Sequence, residues 1–191
     1  MSKAVTIIDT KAGNLFSLKA CLERIGKTVT IAATPDDLVG EQLVLPGQGH
    51  FGSVMKSLEQ SGWIDCLNLW RSQNKPILGI CVGMQIFFES SQEASAINGL
   101  GWFKGRAEKL NFPKQPMVGW AKIQSSTLTE GTPYFVNSYA IRESEQCIAT
   151  TSYGETFCAA VKDNKVVGFQ FHPEKSSLYG QQLMATVLNN G

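Results

Sequence analysis

The sequence has no long apolar run, no excess of one charge and no internal repeat. No window approaches the roughly 18 apolar residues that a membrane-spanning helix needs. Seventeen Lys and Arg residues against sixteen Asp and Glu residues give a formal net charge of +1, and neither sign is gathered into a run that could follow phosphates or anionic lipids. We therefore expect neither nucleic acid nor a membrane among the partners of this chain.

Histidine is scarce, and the cysteines form no recognisable metal or disulfide pattern. The chain has two histidines, and no two cysteines are spaced as a C-x-x-C pair. Neither a Cys/His zinc site nor a disulfide framework can be read from such a sequence, so we expect no metal, no cofactor and mostly reduced thiols. The five cysteines are Cys21, Cys66, Cys81, Cys147 and Cys158.

The length and composition are those of one globular domain. The 191 residues fall within the range of about 100 to 200 residues that is usual for a domain. A hydrophobic fraction of 43% with 17% charged residues can fill a core and argues against disorder. We expect a single domain over residues 1–191. The first residues lack the apolar stretch and cleavage site of a signal peptide, which predicts a cytoplasmic location.

Strand-like and helix-like segments alternate in the first half of the chain, and strands dominate the second half. Apolar, β-branched segments predict strands, and apolar residues at helical spacing predict helices. The predicted strands are 4–9, 28–32, 43–46, 76–80, 120–123, 134–141, 157–161 and 166–171. The predicted helices are 15–25, 55–72 (one helix or two), 84–90 and 179–188. The alternation indicates right-handed βαβ units, so we predict an α/β fold with a mainly parallel central sheet, flanking helices and a β-rich second half.

A candidate nucleophile lies between a predicted strand and a predicted helix, in Gly79-Ile-Cys81-Val-Gly83. The two glycines permit the tight turn that exposes the central side chain of a nucleophile elbow. The amino end of a following helix stabilises a thiolate. Cys81 is therefore the candidate nucleophile, although this motif alone is equally compatible with a buried core cysteine at a strand end.

A thiol nucleophile needs a base and a group that orients the base, and the bases available are His50 and His172. His172 ends a predicted strand and is followed by Pro173 and Glu174. If the backbone stays extended through Pro173, His172 and Glu174 lie on the same side of it. Taken singly, a strand-end histidine and a solvated carboxylate explain these residues, but together with Cys81 they indicate a Cys-His-Glu triad. No acid lies at such an offset from His50, so we interpret it as a loop residue.

A glycine-rich loop follows the third predicted strand, in Pro46-Gly-Gln48-Gly49. Small residues let the backbone approach a ligand and direct N–H groups at a developing oxyanion. The backbone amides of Gln48 and Val82 are the candidate donors. The loop lacks the endings of a P-loop and of a dinucleotide-binding motif, and an ordinary glycine turn explains it equally well.

These motifs, in this order and spacing, resemble those of the class I (triad) glutamine amidotransferases, and most closely the glutaminase subunits of imidazole glycerol phosphate synthases. The resemblance spans nearly the whole chain and rests on 12–14, 45–51, 79–85, 135–139 and 169–176. It implies glutamine hydrolysis through a cysteinyl thioester, with Cys81 as nucleophile, His172 as base and Glu174 as its orienting acid. It also implies that the amino-acid end of glutamine is held by Gly49, Gln85, Glu93 and Ser138.

The resemblance further implies a partner, because ammonia released into bulk water is protonated and loses its nucleophilicity. That partner is a (β/α)8-barrel cyclase of histidine biosynthesis, bound as a heterodimer. The family positions near the interface are Asn14, Trp120, Tyr134 and Lys175. The simpler alternative places both aromatic residues in the core and the lysine on the surface.

The sequence departs from the common family pattern at three positions. Met117 and Ala121 stand in Met-Val-Gly-Trp-Ala, where His-Met-Gly-Trp-Asn is common, and Asn137 stands where a histidine is common. None belongs to the triad, so we expect the glutaminase chemistry to be retained. The alternatives are a paralogue serving another amination pathway, a freestanding γ-glutamyl cysteine hydrolase, and a regulatory or scaffold module in which Cys81 is silent.

Overall fold

The computed structural model, which describes residues 4–112 and 114–189, alternates strands and helices up to residue 85 and is richer in strands afterwards. In chain order the strands are β1 (Ala4–Ile8), β2 (Thr28–Ala32), β3 (Gln42–Leu45), β4 (Ile77–Ile80), β5 (Phe88–Ser91), β6 (Phe103–Lys109), β7 (Met117–Trp120), β8 (Gln124–Ser125), β9 (Tyr134–Asn137), β10 (Tyr139–Ala140), β11 (Cys147–Ser152), β12 (Thr156–Asp163) and β13 (Val166–Phe169). The helices are α1 (Phe16–Arg24), α2 (Phe51–Gln60), α3 (Trp63–Ser72), α4 (Val82–Gln85) and α5 (Ser177–Asn189). Short 3-10 turns lie at Pro35–Asp37, Gln92–Ala94 and Pro173–Lys175. The predicted domain limits, residues 1 and 191, lie outside the described residues.

The central sheet of the described residues has the strand order β2-β1-β3-β4-β13-β12-β11-β8. Neighbours from β2 to β13 pair in parallel, and the pairs beyond β13 are antiparallel. The predicted α/β class, with a mainly parallel sheet and a β-rich second half, is confirmed. Because β3, β4 and β13 are parallel neighbours, the loops that follow them meet at one edge of the sheet.

The helices bury one apolar face each. In α2 the buried positions are spaced i, i+3, i+4 and i+7, as in an amphipathic helix packed on a core; they are Phe51, Val54, Met55 and Leu58. Burying one such leucine stabilises the fold by about 1.5–3 kcal/mol. α1 contacts α5, and α2 contacts α3. The segment predicted as one helix or two is two helices, and the first begins at Phe51, where the His50 side chain accepts a hydrogen bond from the Gly52 amide. His50 therefore caps a helix.

Two smaller sheets lie beside the central one, with the orders β10-β6-β5 and β7-β9. β9 contacts the segment that follows β13 of the central sheet, because Tyr134 forms an antiparallel bridge with His172. The segment predicted as one strand over 134–141 is two short strands that belong to different sheets. The strand predicted at 120–123 is wrong in its bounds, since β7 ends at Trp120 after pairing with β9.

The predicted helix over 84–90 is wrong. α4 is a single turn that ends at Gln85, and the chain then enters β5. Ile86, Phe87 and Phe88 are all fully buried, and a short run of buried apolar residues is compatible with either a helix or a strand. Long-range pairing decides, because Phe88 is in register with Phe103 and the Phe87 carbonyl accepts hydrogen bonds from the Trp102 and Phe103 amides.

Candidate active site

Cys81 lies in a strained turn between β4 and α4. Its backbone has φ 49° and ψ −109°, a region that residues other than glycine rarely occupy. The Cys81 amide donates to the Phe169 carbonyl at 2.6 Å. A Cβ at Gly79 would lie 2.5 Å from the Gly83 carbonyl oxygen, and a Cβ at Gly83 would lie 2.5 Å from the Leu45 carbonyl oxygen. Both glycines are therefore required by close backbone packing around the cysteine.

His172 and Glu174 form a buried pair beyond the end of β13. His172 Nδ1 and Glu174 Oε1 are 2.8 Å apart, and the two side chains are 2% and 5% exposed. The sequence led us to expect an extended backbone between the two residues. The contact arises instead from a turn. Residues Pro173–Lys175 form a 3-10 turn, which begins with a proline, and the Ser176 hydroxyl bonds back to the His172 carbonyl. The proline favours this turn because its fixed φ suits a first helical position.

The proton affinity of His172 is set by two neighbours. Burial by itself lowers the pKa of His172, but its interactions with Cys81 and with Glu174 outweigh burial and raise the pKa from 6.5 to about 10. Among the described residues, His172 Nε2 is buried without a partner of ordinary hydrogen-bond geometry. The imidazole and the thiol thus interact without a well-formed hydrogen bond, and Nε2 is the ring nitrogen left to exchange a proton.

An open cleft of about 270 Å³ surrounds Cys81 at the carboxyl edge of the sheet. Nine of the residues singled out in the sequence line it: Cys81, His172, Gln48, Val82, Gly49, Gln85, Glu93, Ser138 and Lys175. Glu174 contacts the cleft through His172. Three candidate interface residues, Asn14, Trp120 and Tyr134, are not part of its lining.

The loop after β3 is fixed to the segment after β1 by the side chain of Gln48. Gln48 Oε1 accepts from the Asn14 amide at 2.6 Å, and Gln48 Nε2 donates to the Asn14 carbonyl at 3.4 Å. Gly47, Gln48 and Gly49 line the cleft together with Cys81. The glycine-rich loop is therefore held beside the sulfur, where an oxyanion donor has to be.

Two of the candidate substrate ligands already have protein partners. Gln85 is buried, and its Nε2 donates to the Tyr139 carbonyl at 2.9 Å and to Gln170 Oε1 at 3.0 Å. Glu93 Oε2 accepts from the Phe51 amide at 2.7 Å, at the amino end of α2. Gln85 Oε1 and the other carboxylate oxygen of Glu93 take no part in these bonds, and both residues line the cleft.

Gln170 and Asn137 belong to the site, although neither was predicted from the sequence as functional. Gln170 is fully buried, and its Nε2 donates to Cys81 Sγ at 3.5 Å. Asn137 lines the cleft and is 6% exposed, with a buried Oδ1 that has no partner in the described structure. A signal for Gln170 exists, since it is a polar residue between the phenylalanines of an otherwise apolar strand.

An aromatic pair lies next to His172, and its tryptophan is open to solvent. Trp120 is 64% exposed, and its ring meets that of Tyr134 edge-on with centroids 4.9 Å apart. The Tyr134 carbonyl accepts from the His172 amide at 2.8 Å. The alternative that places Trp120 in the core is wrong, Tyr134 is half-buried, and Lys175 is exposed.

Over the two described ranges, no three His, Cys, Asp or Glu side chains are grouped so as to hold a metal ion. Within the same residues, no helix combines the length and apolar character needed to cross a membrane.

The fold and the site define an α/β enzyme with a cysteine thiol in a strained strand-to-helix turn and a histidine–carboxylate pair beside it. A family model described as "Glutamine amidotransferase class-I" matches residues 6–188, and the chain belongs to this family.

Curated relatives match almost the full length of the chain. The "Imidazole glycerol phosphate synthase subunit HisH" of Sulfolobus acidocaldarius is 40% identical over 195 residues, covering 95% of this chain and 95% of the relative. The protein of the same name from Shouchella clausii is 39% identical, covering 94% and 95%. The one from Thermotoga maritima is 35% identical, covering 96% of each chain.

Solved structures share the fold at lower sequence identity. A structure described as "Crystal structure of glutamine amidotransferase" has a TM-score of 0.81 at 19% identity, covering 97% of both chains. The structure of PurLQS from Thermotoga maritima has a TM-score of 0.78 at 16% identity, covering 100% of this chain and 99% of that one.

Proposed function

We propose that this chain is the glutaminase subunit of an imidazole glycerol phosphate synthase. It hydrolyses L-glutamine to glutamate and ammonia, and the ammonia passes to a cyclase subunit that makes imidazole glycerol phosphate and AICAR in histidine biosynthesis. The observation that carries the proposal is the strained Cys81 beside the buried His172–Glu174 pair. Relatives bearing that name, at 35–40% identity over almost the whole chain, support it.

The first half of the reaction forms a thioester. His172 Nε2 already holds the proton of the Cys81 thiol, in keeping with its raised pKa, when Cys81 Sγ bonds to the side-chain carbonyl carbon of glutamine. The backbone amides of Gln48 and Val82 stabilise the oxyanion, for which one such donor is worth roughly two to three powers of ten in rate. The C–N bond then breaks, and the departing nitrogen takes the proton from His172 and leaves as ammonia.

The second half returns the enzyme to its starting state. Water attacks the thioester carbonyl while His172 accepts one of its protons, the C–S bond breaks, and glutamate leaves. Protonated His172 and the sulfur are then ready for the next glutamine. Glu174 keeps the imidazole in orientation and stabilises its protonated form.

The substrate is held by the remaining cleft residues. Gly49, Gln85, Glu93 and Ser138 bind the amino-acid end of glutamine, with the carboxylate of Glu93 available to an ammonium group. All four line the same cleft as Cys81, which supports this assignment. No cofactor takes part in these steps.

The partner is a (β/α)8-barrel cyclase bound as a heterodimer in the cytoplasm, and neither nucleic acid nor a membrane is required. It docks on the face that carries Asn14, Trp120, Tyr134 and Lys175. An exposed tryptophan packed edge-on against a tyrosine is the kind of anchor that interfaces favour. Its position next to His172 allows binding of the partner to affect catalysis.

Glutamate release by the purified chain, with and without the cyclase and its nucleotide ligand, tests the function. We expect release to rise strongly when the cyclase and its ligand are both present, and Cys81→Ser to reduce it to background. Cys66→Ser, on helix α3, is the matched control and should behave as wild type. Glutamate release that is unaffected by Cys81→Ser would refute the proposal.

A further inference from the structure

We propose that Gln170 is a catalytic residue of this glutaminase, because its side-chain amide donates a hydrogen bond to the sulfur of Cys81 and stabilises the negative charge on it. The inference rests on the proposed function, in which Cys81 is the nucleophile. Gln170 Nε2 lies 3.5 Å from Cys81 Sγ, and both side chains are buried.

The segment directly after β13, the neighbour of β4, directs Gln170 toward the sulfur. Alternate residues along an extended chain face opposite sides. Phe169 and Phe171 stack on each other with ring centroids 4.8 Å apart, so they share one side. Gln170 and His172 share the other side, where both interact with Cys81. The backbone amide of Gln170 donates to the Ala159 carbonyl at 2.9 Å, which fixes the backbone at this position.

The hydrogen-bond network settles which end of the Gln170 amide faces the sulfur. Gln85 must present its NH2 group to the Tyr139 carbonyl, since a carbonyl only accepts. The same NH2 group then donates to the other glutamine at 3.0 Å, so the atom it meets there is the Oε1 of Gln170. With its oxygen so engaged, Gln170 has its NH2 group directed at Cys81.

The surroundings make this donor effective. Gln170 is 0% exposed, and a hydrogen bond to charge is stronger where water is excluded. When the sulfur carries its proton, that proton can be directed to the Val136 carbonyl, 3.9 Å away, which leaves a sulfur lone pair for Gln170. When His172 takes the proton, the Gln170 N–H remains in place and faces a negative sulfur. The same donor favours the sulfur as leaving group when the thioester is hydrolysed.

The experiment compares the pH dependence of Cys81 alkylation by iodoacetamide in the full-length chain, followed by mass spectrometry of the Cys81 peptide. Gln170→Met keeps the length of the side chain and removes the donor. We expect the midpoint of its alkylation profile to move up by about one pH unit, with alkylation about tenfold slower at neutral pH. Gln170→Glu keeps an acceptor for Gln85 and places a carboxylate at the sulfur, so its midpoint should move up further.

The matched control is Gln42→Met, which removes another fully buried amide, one bonded to the Leu188 carbonyl away from the cleft. Its alkylation midpoint should equal that of wild type. If Gln170→Met does not fold, judged by circular dichroism, Gln170→Glu supplies the same comparison.

The outcomes separate this inference from the function on which it rests. Folded Gln170 variants with a wild-type alkylation midpoint, and with a raised KM as their only defect, would show that Gln170 merely holds Gln85, and the inference would be overturned. Glutamate release retained by Cys81→Ser would overturn the proposed function instead.

Discussion

At the scale of single residues, the site depends on two groups in states that their surroundings impose. Cys81 has a backbone conformation that a free cysteine avoids, and it is held there by the bond from its amide to the Phe169 carbonyl. His172 is buried and yet has a raised pKa, because Cys81 and Glu174 favour its protonated form more than burial opposes it. A strained backbone and a protonated imidazole thus lie next to the Cys81 sulfur.

We expect protonated His172 to contribute to the free energy of unfolding at neutral pH and to lose that contribution in alkali. The folded chain holds this proton up to a pKa of about 10, whereas the ordinary value is 6.5. Between these values the folded state binds a proton that the unfolded state has released, so the contribution is full below about pH 6.5 and declines as the pH rises toward about 10. Urea unfolding of wild type and His172→Gln at about pH 6 and about pH 9 measures it. The stability difference between the two proteins should be smaller at the higher pH, and a larger difference there would contradict the assignment.

At the scale of elements, the site is built where short connections follow parallel strands. The loop after β3, the elbow after β4 and the turn after β13 come together because the strands are in register, with Gly79 beside both Leu45 and Gly168. The one-turn helix α4 fits directly behind Cys81 since Gly83 lets it approach the loop after β3. Each connection is short, so the sheet itself sets the distances between Cys81, His172 and the loop after β3.

We expect Gly83→Ala to destabilise the chain and to reduce glutamine hydrolysis. The added Cβ would lie 2.5 Å from the Leu45 carbonyl oxygen, and overpacking of this kind costs about 1–3 kcal/mol and shifts Cys81. Urea unfolding and glutamate release in the presence of the cyclase measure the two effects.

Gly101→Ala is the control, because its Cβ meets nothing within 4 Å although its φ is 65°. It should lose only about 1–2 kcal/mol from left-handed strain and keep its activity; equal losses of activity in both variants would refute the explanation.

Particular elements show how far the sequence alone leads. The elbow at Cys81 and the His172–Glu174 contact follow from local motifs, because glycine sterics and a proline turn act within a few residues. The turn itself was expected to be extended and is a 3-10 turn. Segment 84–90 was mistaken for a helix because β5 exists only through its pairing with β6. Gln170 was missed as a site residue, since its partners Cys81 and Gln85 are 89 and 85 residues away along the chain.

At the scale of the whole molecule, a face with exposed apolar side chains lies next to the site. Trp120 is 64% exposed beside Tyr134, and Val118 on the same strand is exposed as well. Exposure of this aromatic pair to water is unfavourable in the isolated chain, whereas a partner subunit can bury the pair. The face lies next to His172, so a partner bound there would also enclose the cleft and limit the loss of ammonia to solvent.

We expect Trp120→Ala to weaken binding of the cyclase about tenfold to thirtyfold, as loss of an aromatic anchor does. Folding and alkylation of Cys81 in the isolated chain should stay as in wild type, because the ring is mostly outside the core. Titration calorimetry with the purified cyclase measures the affinity.

Leu69→Ala is the control. Leu69 is 58% exposed, but it lies near the end of α3, just before the chain enters β4 at the opposite edge of the sheet. Unchanged affinity in Trp120→Ala, or an equal loss in Leu69→Ala, would contradict the proposed docking face.

The sequence by itself determined the α/β class, the elbow around Cys81 and the pairing of a histidine with a carboxylate two residues later, because these depend on local sterics and on the period of the elements. Only the tertiary structure decided that the two motifs meet, that Gln170 donates to the sulfur and that Trp120 is exposed. Those facts depend on which strands pair and in which register. The pairing of β4 with β13, from distant parts of the chain, is a property of the whole core rather than of either segment.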